Sequence, residues 1–177
     1  MRWLRLRAVW LLVIPFLWLA RPTPALLATG AGLAAVGLAV RAWAAGFIHK
    51  ERELTTAGPY AYTRNPLYLG SFLVGIGVTV AGGRWLFVVF FLVFFVLVYG
   101  RTIRGEARLL EELFGDEYRR WARHVPMVVP RLSPWRRESG DGRARFTLHR
   151  WRKNREYEAL AGAVAGFAFL AVKMLWL

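Results

Sequence analysis

Apolar residues lie along this chain in long blocks, with the charges collected between them. Pro22 to Val40, Asn65 to Gly83 and Trp85 to Gly100 contain no ionisable side chain other than tyrosine. A bilayer core takes about 20 helical residues, with about 17 tolerable, so each block predicts a transmembrane helix, the first extending over Ala25 to Ile48. Ala8 to Ala20 is short alone but lengthens if Arg5 and Arg7 snorkel outward. Ala159 to Leu177 makes a fifth candidate, with Lys173 near its far end. The pattern predicts an all-α polytopic membrane protein: about five transmembrane helices plus a cytoplasmic amphipathic helix, with no Rossmann domain. Pro22-Thr23-Pro24-Ala25 leads directly into a second apolar block and no Ala-x-Ala site is evident, so the first block reads as a span and not a cleaved leader.

Between the blocks the punctuation is specific. Gly30, Gly32, Ala34, Ala35, Gly37 and Ala39 put small residues at three- and four-residue spacing, which lets helix backbones approach closely. No strand precedes Gly30-Ala31-Gly32, so it does not read as a dinucleotide loop. Thr55 to Pro59 reads as a loop, Asn65-Pro66 restarts helix with proline in the first turn, and Gly82-Gly83 makes a tight outer turn. From Thr102 the period becomes helical. Ile103, Leu110, Phe114 and Trp121, joined by Leu109 and Leu113, form an apolar face, with pairs such as Arg108 and Glu112 at i,i+4 on the other side. Gly115 is expected to interrupt this helix, and Pro126 and Pro130 to end it. Ser133 to Arg145 reads as a polar linker and Phe146 to Glu158 as a basic interfacial helix.

Charge sets the orientation. The 177 residues are 56% hydrophobic yet carry a net charge of +14, and the mean hydropathy is +0.34. With the N-terminus cytoplasmic, 21 Lys and Arg fall inside and 2 (Arg21 and Arg84) outside, leaving Arg41 and Lys173 within spans. That split follows the positive-inside rule and predicts an integral inner-membrane protein whose polar motifs face the cytoplasm. The absence of cysteine excludes disulfides and thiolate chemistry. His49, His124 and His149 show no metal-ligand spacing, so no metal is expected, and nothing points to nucleic acid. Arg41 would be costly at a helix centre, by about 2.5–3.5 kcal/mol. It either snorkels or contacts a pocket.

Two motifs carry the chemistry. The first is Gly58-Pro59-Tyr60-Ala61-Tyr62-Thr63-Arg64-Asn65-Pro66-Leu67-Tyr68-Leu69-Gly70. The second is Glu106, followed eight residues later by Phe114-Gly115-Asp116-Glu117-Tyr118. Singly, Arg64 reads as a membrane anchor, the tyrosines as interfacial belt residues and Glu106 as part of a solvated face. In order, from about Arg41 to Pro130, they resemble the integral-membrane methyltransferases of the isoprenylcysteine carboxyl methyltransferase and phospholipid N-methyltransferase group. The hallmark there is an Arg-(His or Asn)-Pro-x-Tyr-x-Gly turn, then, after a span, an acidic helix ending Phe-Gly-x-x-Tyr.

The resemblance implies S-adenosylmethionine as cofactor, a lipophilic methyl acceptor (isoprenylcysteine carboxylate-like or a phospholipid amine) and the lipid bilayer as partner. It implies Arg64, Asn65 and Glu106 as catalytic residues. The cofactor would be bound by Gly58, Pro59, Tyr60, Arg64, Asn65, Pro66, Tyr68, Gly70, Glu106 and Tyr118. Arg64 would hold the cofactor carboxylate, a tyrosine ring would face the sulfonium, and Tyr118 with Trp121 would pack against adenine. Asn65 stands where many members have His, which rules out imidazole proton transfer there. Ala107 replaces the second acid of the Glu-Glu pair. One membrane domain, 1–177, is expected: a helical hairpin (1–48), the methyltransferase signature region (49–130), a basic linker and interfacial helix (131–158) and a last span (159–177). The competing expectations are an NADPH-dependent reductase on a similar helical scaffold and a non-enzymatic protein binding anionic lipid.

Overall fold

Thr23 begins the first long helix: its side-chain oxygen accepts a hydrogen bond from the Leu26 N–H at 3.3 Å, and Pro24 occupies the first turn, where its missing N–H costs nothing. The computed structural model describes residues 14–48, 53–136 and 145–176. After a helical piece at 14–19 come α1 (Pro24–Phe47), a 3-10 turn (Gly58–Ala61), α2 (Pro66–Ala81), α3 (Trp85–His124), α4 (Leu148–Lys153) and α5 (Glu156–Leu175). No strand occurs among the described residues. α1, α3 and α5 are long and apolar enough to cross a membrane, and α2 is apolar but shorter. The protein is thus a polytopic, all-helical membrane protein without a Rossmann domain. Residues 8–13 of the first expected span, 49–52 of the loop before the signature, most of the Ser133–Arg145 linker and Leu177 lie outside the described residues.

α1 and α2 pack backbone to backbone. A Cβ added at Gly77 would come 2.5 Å from the Gly30 carbonyl, and one at Gly70 2.6 Å from the Gly37 carbonyl. The small-residue spacing is therefore used as expected, since lipid tails supply no hydrophobic drive and helices gain by close contact. α2 keeps only 16 residues because Asn65 at one end of the apolar block is its N-cap and Gly82-Gly83 at the other end make the turn.

α3 runs for 40 residues but is broken at Gly115, whose φ of 50° and ψ of −122° suit only glycine. The piece after the break packs Tyr118, Trp121 and Val125 against Tyr60 and Ala44. The expected apolar face is narrower than the spacing suggested. Ile103 and Trp121 are buried and Leu110 and Phe114 join the core, but Leu109 and Leu113 remain exposed. Only one side of α3 meets protein.

The C-terminal region departs from the expected single interfacial helix, Phe146 to Glu158, followed by a span at Ala159. α4 is short and ends at Asn154, whose side-chain amide donates to the Ala45 carbonyl at 3.0 Å. Arg155 then takes a left-handed conformation (φ 56°) and α5 starts at Glu156. At the far end of α5 the Lys173 ammonium donates to the carbonyls of Leu17 and Trp18, both at 2.6 Å, capping the helical piece at 14–19.

Candidate active site

The turn bearing the first motif is fixed from both sides. Its backbone is strapped by the segment after α3: the Arg64 N–H donates to the Pro126 carbonyl at 2.9 Å, Arg131 N–H to Tyr62 O and Trp135 N–H to Ala61 O, each at 3.0 Å. Thr63 Oγ1 donates to the Val128 carbonyl at 3.0 Å. Beneath, the Trp121 indole N–H donates to the Tyr60 carbonyl at 3.2 Å. Helix α3, folded back at Gly115, thus holds the turn that precedes α2.

A cavity of about 540 Å³ opens beside this junction. Both motifs supply its wall: Tyr60, Arg64 and Tyr68 from the first, Glu106 from the second. The Tyr68 hydroxyl donates to Glu106 Oε1 at 2.6 Å, joining residues 38 apart in sequence. Arg64 Nη1 donates to the Tyr118 hydroxyl at 3.0 Å, and the guanidinium lies 5.9 Å over the Tyr118 ring. Two polar atoms here are buried without any partner, Arg64 Nε and the Tyr60 hydroxyl. Burial pushes the Tyr60 phenol above its ordinary range, Glu156 and then Glu106 push it further, and Arg41 offsets part of that.

The other candidates named from sequence do not line the cavity. Asn65 faces the strap and donates from Nδ2 to the Met127 carbonyl at 2.8 Å. Pro66 is a fully buried first-turn residue of α2. Gly58 and Pro59 shape the 3-10 turn. Gly70 makes room for an arginine: a Cβ there would meet Arg41 Cγ at 2.5 Å. Tyr118 stands behind Arg64, while Trp121 beside it does reach the cavity. Ala107 packs against the buried aromatic cluster, so the place of the second acid is taken by apolar contact.

Sequence reasoning missed Glu53, Ser71, Asn154 and Glu156, all of which line the cavity. Glu156 had a signal. A charge inside a span needs a partner, and Arg41 finds it there: Nε donates to Glu156 Oε2 and Nη2 to Oε1, each at 2.9 Å. Arg41 is therefore a cavity residue with its charge compensated, and the snorkelling alternative falls away. Among the described residues no group of His, Asp and Glu could hold a metal.

The cavity offers an unspent Arg64 N–H to an anion, carboxylates at Glu106 and Glu156 to a cation, and aromatic surface from Tyr60 and Trp121. An amino-acid carboxylate, a sulfonium and an adenine fit that donor set.

Comparison with known proteins gives the same direction. The family profile for phospholipid methyltransferase matches residues 26–117, a little over half of the chain. Nickel-cobalt-cadmium resistance protein NccN of Alcaligenes xylosoxydans xylosoxydans is 37% identical over 112 residues, covering 62% of this chain and 51% of that protein. Cobalt-zinc-cadmium resistance protein CzcN of Cupriavidus metallidurans is likewise 37% identical over 112 residues, covering 62% and 50%. Protein-S-isoprenylcysteine O-methyltransferase of Schizosaccharomyces pombe is 30% identical over 82 residues, covering 46% and 35%. The chain spans about half the length of the first two relatives and about a third of the last. No solved structure matches. Matched by the profile over a region that takes in α1, the signature turn, α2 and α3 as far as the Phe-Gly-x-x-Tyr motif, the chain belongs to the phospholipid methyltransferase family.

Proposed function

We propose that this protein transfers a methyl group from S-adenosylmethionine to a lipid-like or membrane-embedded acceptor, from a cavity on the cytoplasmic side of the inner membrane. The observation that supports the reading is the pair of buried, unpartnered polar atoms, Arg64 Nε and the Tyr60 hydroxyl, in a cavity both motifs line. Unsatisfied buried polar groups are costly, and a bound polar ligand would satisfy both. When bound, S-adenosylmethionine supplies an electrophilic methyl group; its carbon–sulfur bond breaks as the acceptor forms the new bond, leaving S-adenosylhomocysteine.

The chain's part is alignment and exclusion of water, and alignment alone contributes about 7–11 kcal/mol in well-oriented reactions. Arg64 holds the cofactor carboxylate, braced by Tyr118. Trp121 offers a face to the adenine. Glu106, its carboxylate fixed by Tyr68, is placed to accept hydrogen bonds from the cofactor, and a proton if the acceptor is an amine. A carboxylate acceptor arrives ionised and needs no base. Asn65 acts from behind, holding the strap that keeps Arg64 in place.

Membranes containing the protein, incubated with methyl-labelled S-adenosylmethionine, are expected to incorporate label into an extractable lipid or a lipidated protein, and to stop doing so in Glu106→Gln. Thermal protection of the purified protein by NADPH and not by S-adenosylmethionine would overturn the assignment.

A further inference from the structure

The last helix brings into the cavity a carboxylate that neither motif contains. Glu156, 7% exposed, receives two hydrogen bonds from Arg41. Arg41 is anchored on its other side as well: its Nη1 donates to Ser71 Oγ and, at 3.5 Å, to the Leu67 carbonyl. The pair fixes the Glu156 carboxylate at the cavity wall, where each oxygen retains acceptor capacity. Glu106, held by Tyr68, and Glu53 are the other carboxylates on that wall. Tyr60 lines the same cavity, is 6% exposed and has a buried, unpartnered hydroxyl. Glu156 and Glu106 act electrostatically on that phenol. Arg64, with its buried, unpartnered Nε, is the group for an anion, so the cavity has chemistry for both signs of charge.

We propose that Glu156, with Glu106 and the Tyr60 hydroxyl, forms an onium subsite that takes a sulfonium or alkylammonium group, Glu156 being the second carboxylate that Ala107 does not supply. A sulfonium or quaternary ammonium has no N–H to donate. Carboxylate charge, a phenol oxygen and an aromatic face in a partly desolvated cavity are the means of holding it. The sulfonium form rests on the methyl-transfer reading. The ammonium form does not.

The test is calorimetric, on the full chain in a nonionic maltoside detergent. One arm compares S-adenosylmethionine with S-adenosylhomocysteine, which differ by the methyl group and the charge on sulfur. The other titrates dodecyltrimethylammonium, a permanent lipophilic cation. If the subsite holds the sulfonium, Glu156→Gln lowers the preference for S-adenosylmethionine over S-adenosylhomocysteine about tenfold. If it holds an acceptor ammonium, the variant leaves that ratio alone and weakens dodecyltrimethylammonium about tenfold. An unchanged ratio together with unchanged dodecyltrimethylammonium affinity overturns the subsite. Wild-type protein that binds neither adenosyl compound defeats the methyl-transfer reading instead, and the ammonium arm alone then decides. Because Glu156→Gln strips Arg41 of its counter-ion, the paired Arg41→Gln/Glu156→Gln variant is measured alongside and is read the same way. A purely structural ion pair would lower the melting temperature of the single variant without moving the ratio or the ammonium affinity.

Discussion

Arg64 is only partly satisfied by its own protein: one N–H reaches Tyr118 while Nε is buried without a partner. Arg64→Lys keeps the charge but loses the planar fork, so S-adenosylmethionine affinity is expected to fall by at least about tenfold by calorimetry, the worth of a charge-assisted hydrogen bond. Tyr68→Phe removes the hydroxyl that donates to Glu106, and methyl incorporation is expected to drop with cofactor affinity less affected, a contrast visible in kcat against Kd. Tyr60 gives a pH signature. Its folded pKa is raised, first by burial, so its contribution to stability is complete below the unfolded value of about 10 and declines as pH rises beyond it. Melting temperatures measured from pH 8 to 11 should fall less steeply at the alkaline end in Tyr60→Phe.

At the scale of elements, the site depends on one reversal and one close approach. Gly115→Ala puts a side chain at φ 50°, a strain of about 1–3 kcal/mol. The variant is expected to melt earlier and to bind S-adenosylmethionine more weakly, because Trp121 and Tyr118 reach the signature turn only through that reversal. Gly70→Leu acts between α1 and α2, where even a Cβ meets Arg41 and the Gly37 carbonyl. Overpacking of this kind costs about 1–3 kcal/mol, and a lower melting temperature in detergent is the readout. These elements were unevenly legible in the sequence. Gly115 as a break, Pro66 as a first-turn residue and the small-residue stripe of α1 carry local signals that do not depend on partners. The start of α5 at Glu156 was not legible, because it follows a left-handed Arg155 and an Asn154 side chain that reaches a tertiary neighbour, the Ala45 carbonyl.

The whole molecule makes a topological prediction. With no native cysteine, single-cysteine reporters are clean. Arg84→Cys is expected to react with a membrane-impermeant maleimide from outside intact spheroplasts, and Arg131→Cys only after permeabilisation. The reverse pattern would place the cavity on the other side, away from a cytoplasmic cofactor supply. The Arg41–Glu156 pair and the Lys173 cap tie α5 to α1 at one end and to the helical piece at 14–19 at the other. The last helix is thereby part of the cavity wall.

Hydrophobic blocks, proline and glycine punctuation and the basic bias were enough to specify a helical membrane protein, because transfer into lipid and local backbone limits act on each segment by itself. The two motifs, read in order, were enough to name a family resemblance. Which of their residues face the cavity was decided by packing. Arg64, Tyr60, Tyr68 and Glu106 point in, while Asn65 and Gly70 serve the strap and the helix contact. The pairing of Arg41 with a glutamate 115 residues away has no local signature, since a buried charge states its need for a counter-ion but not where the fold will deliver one.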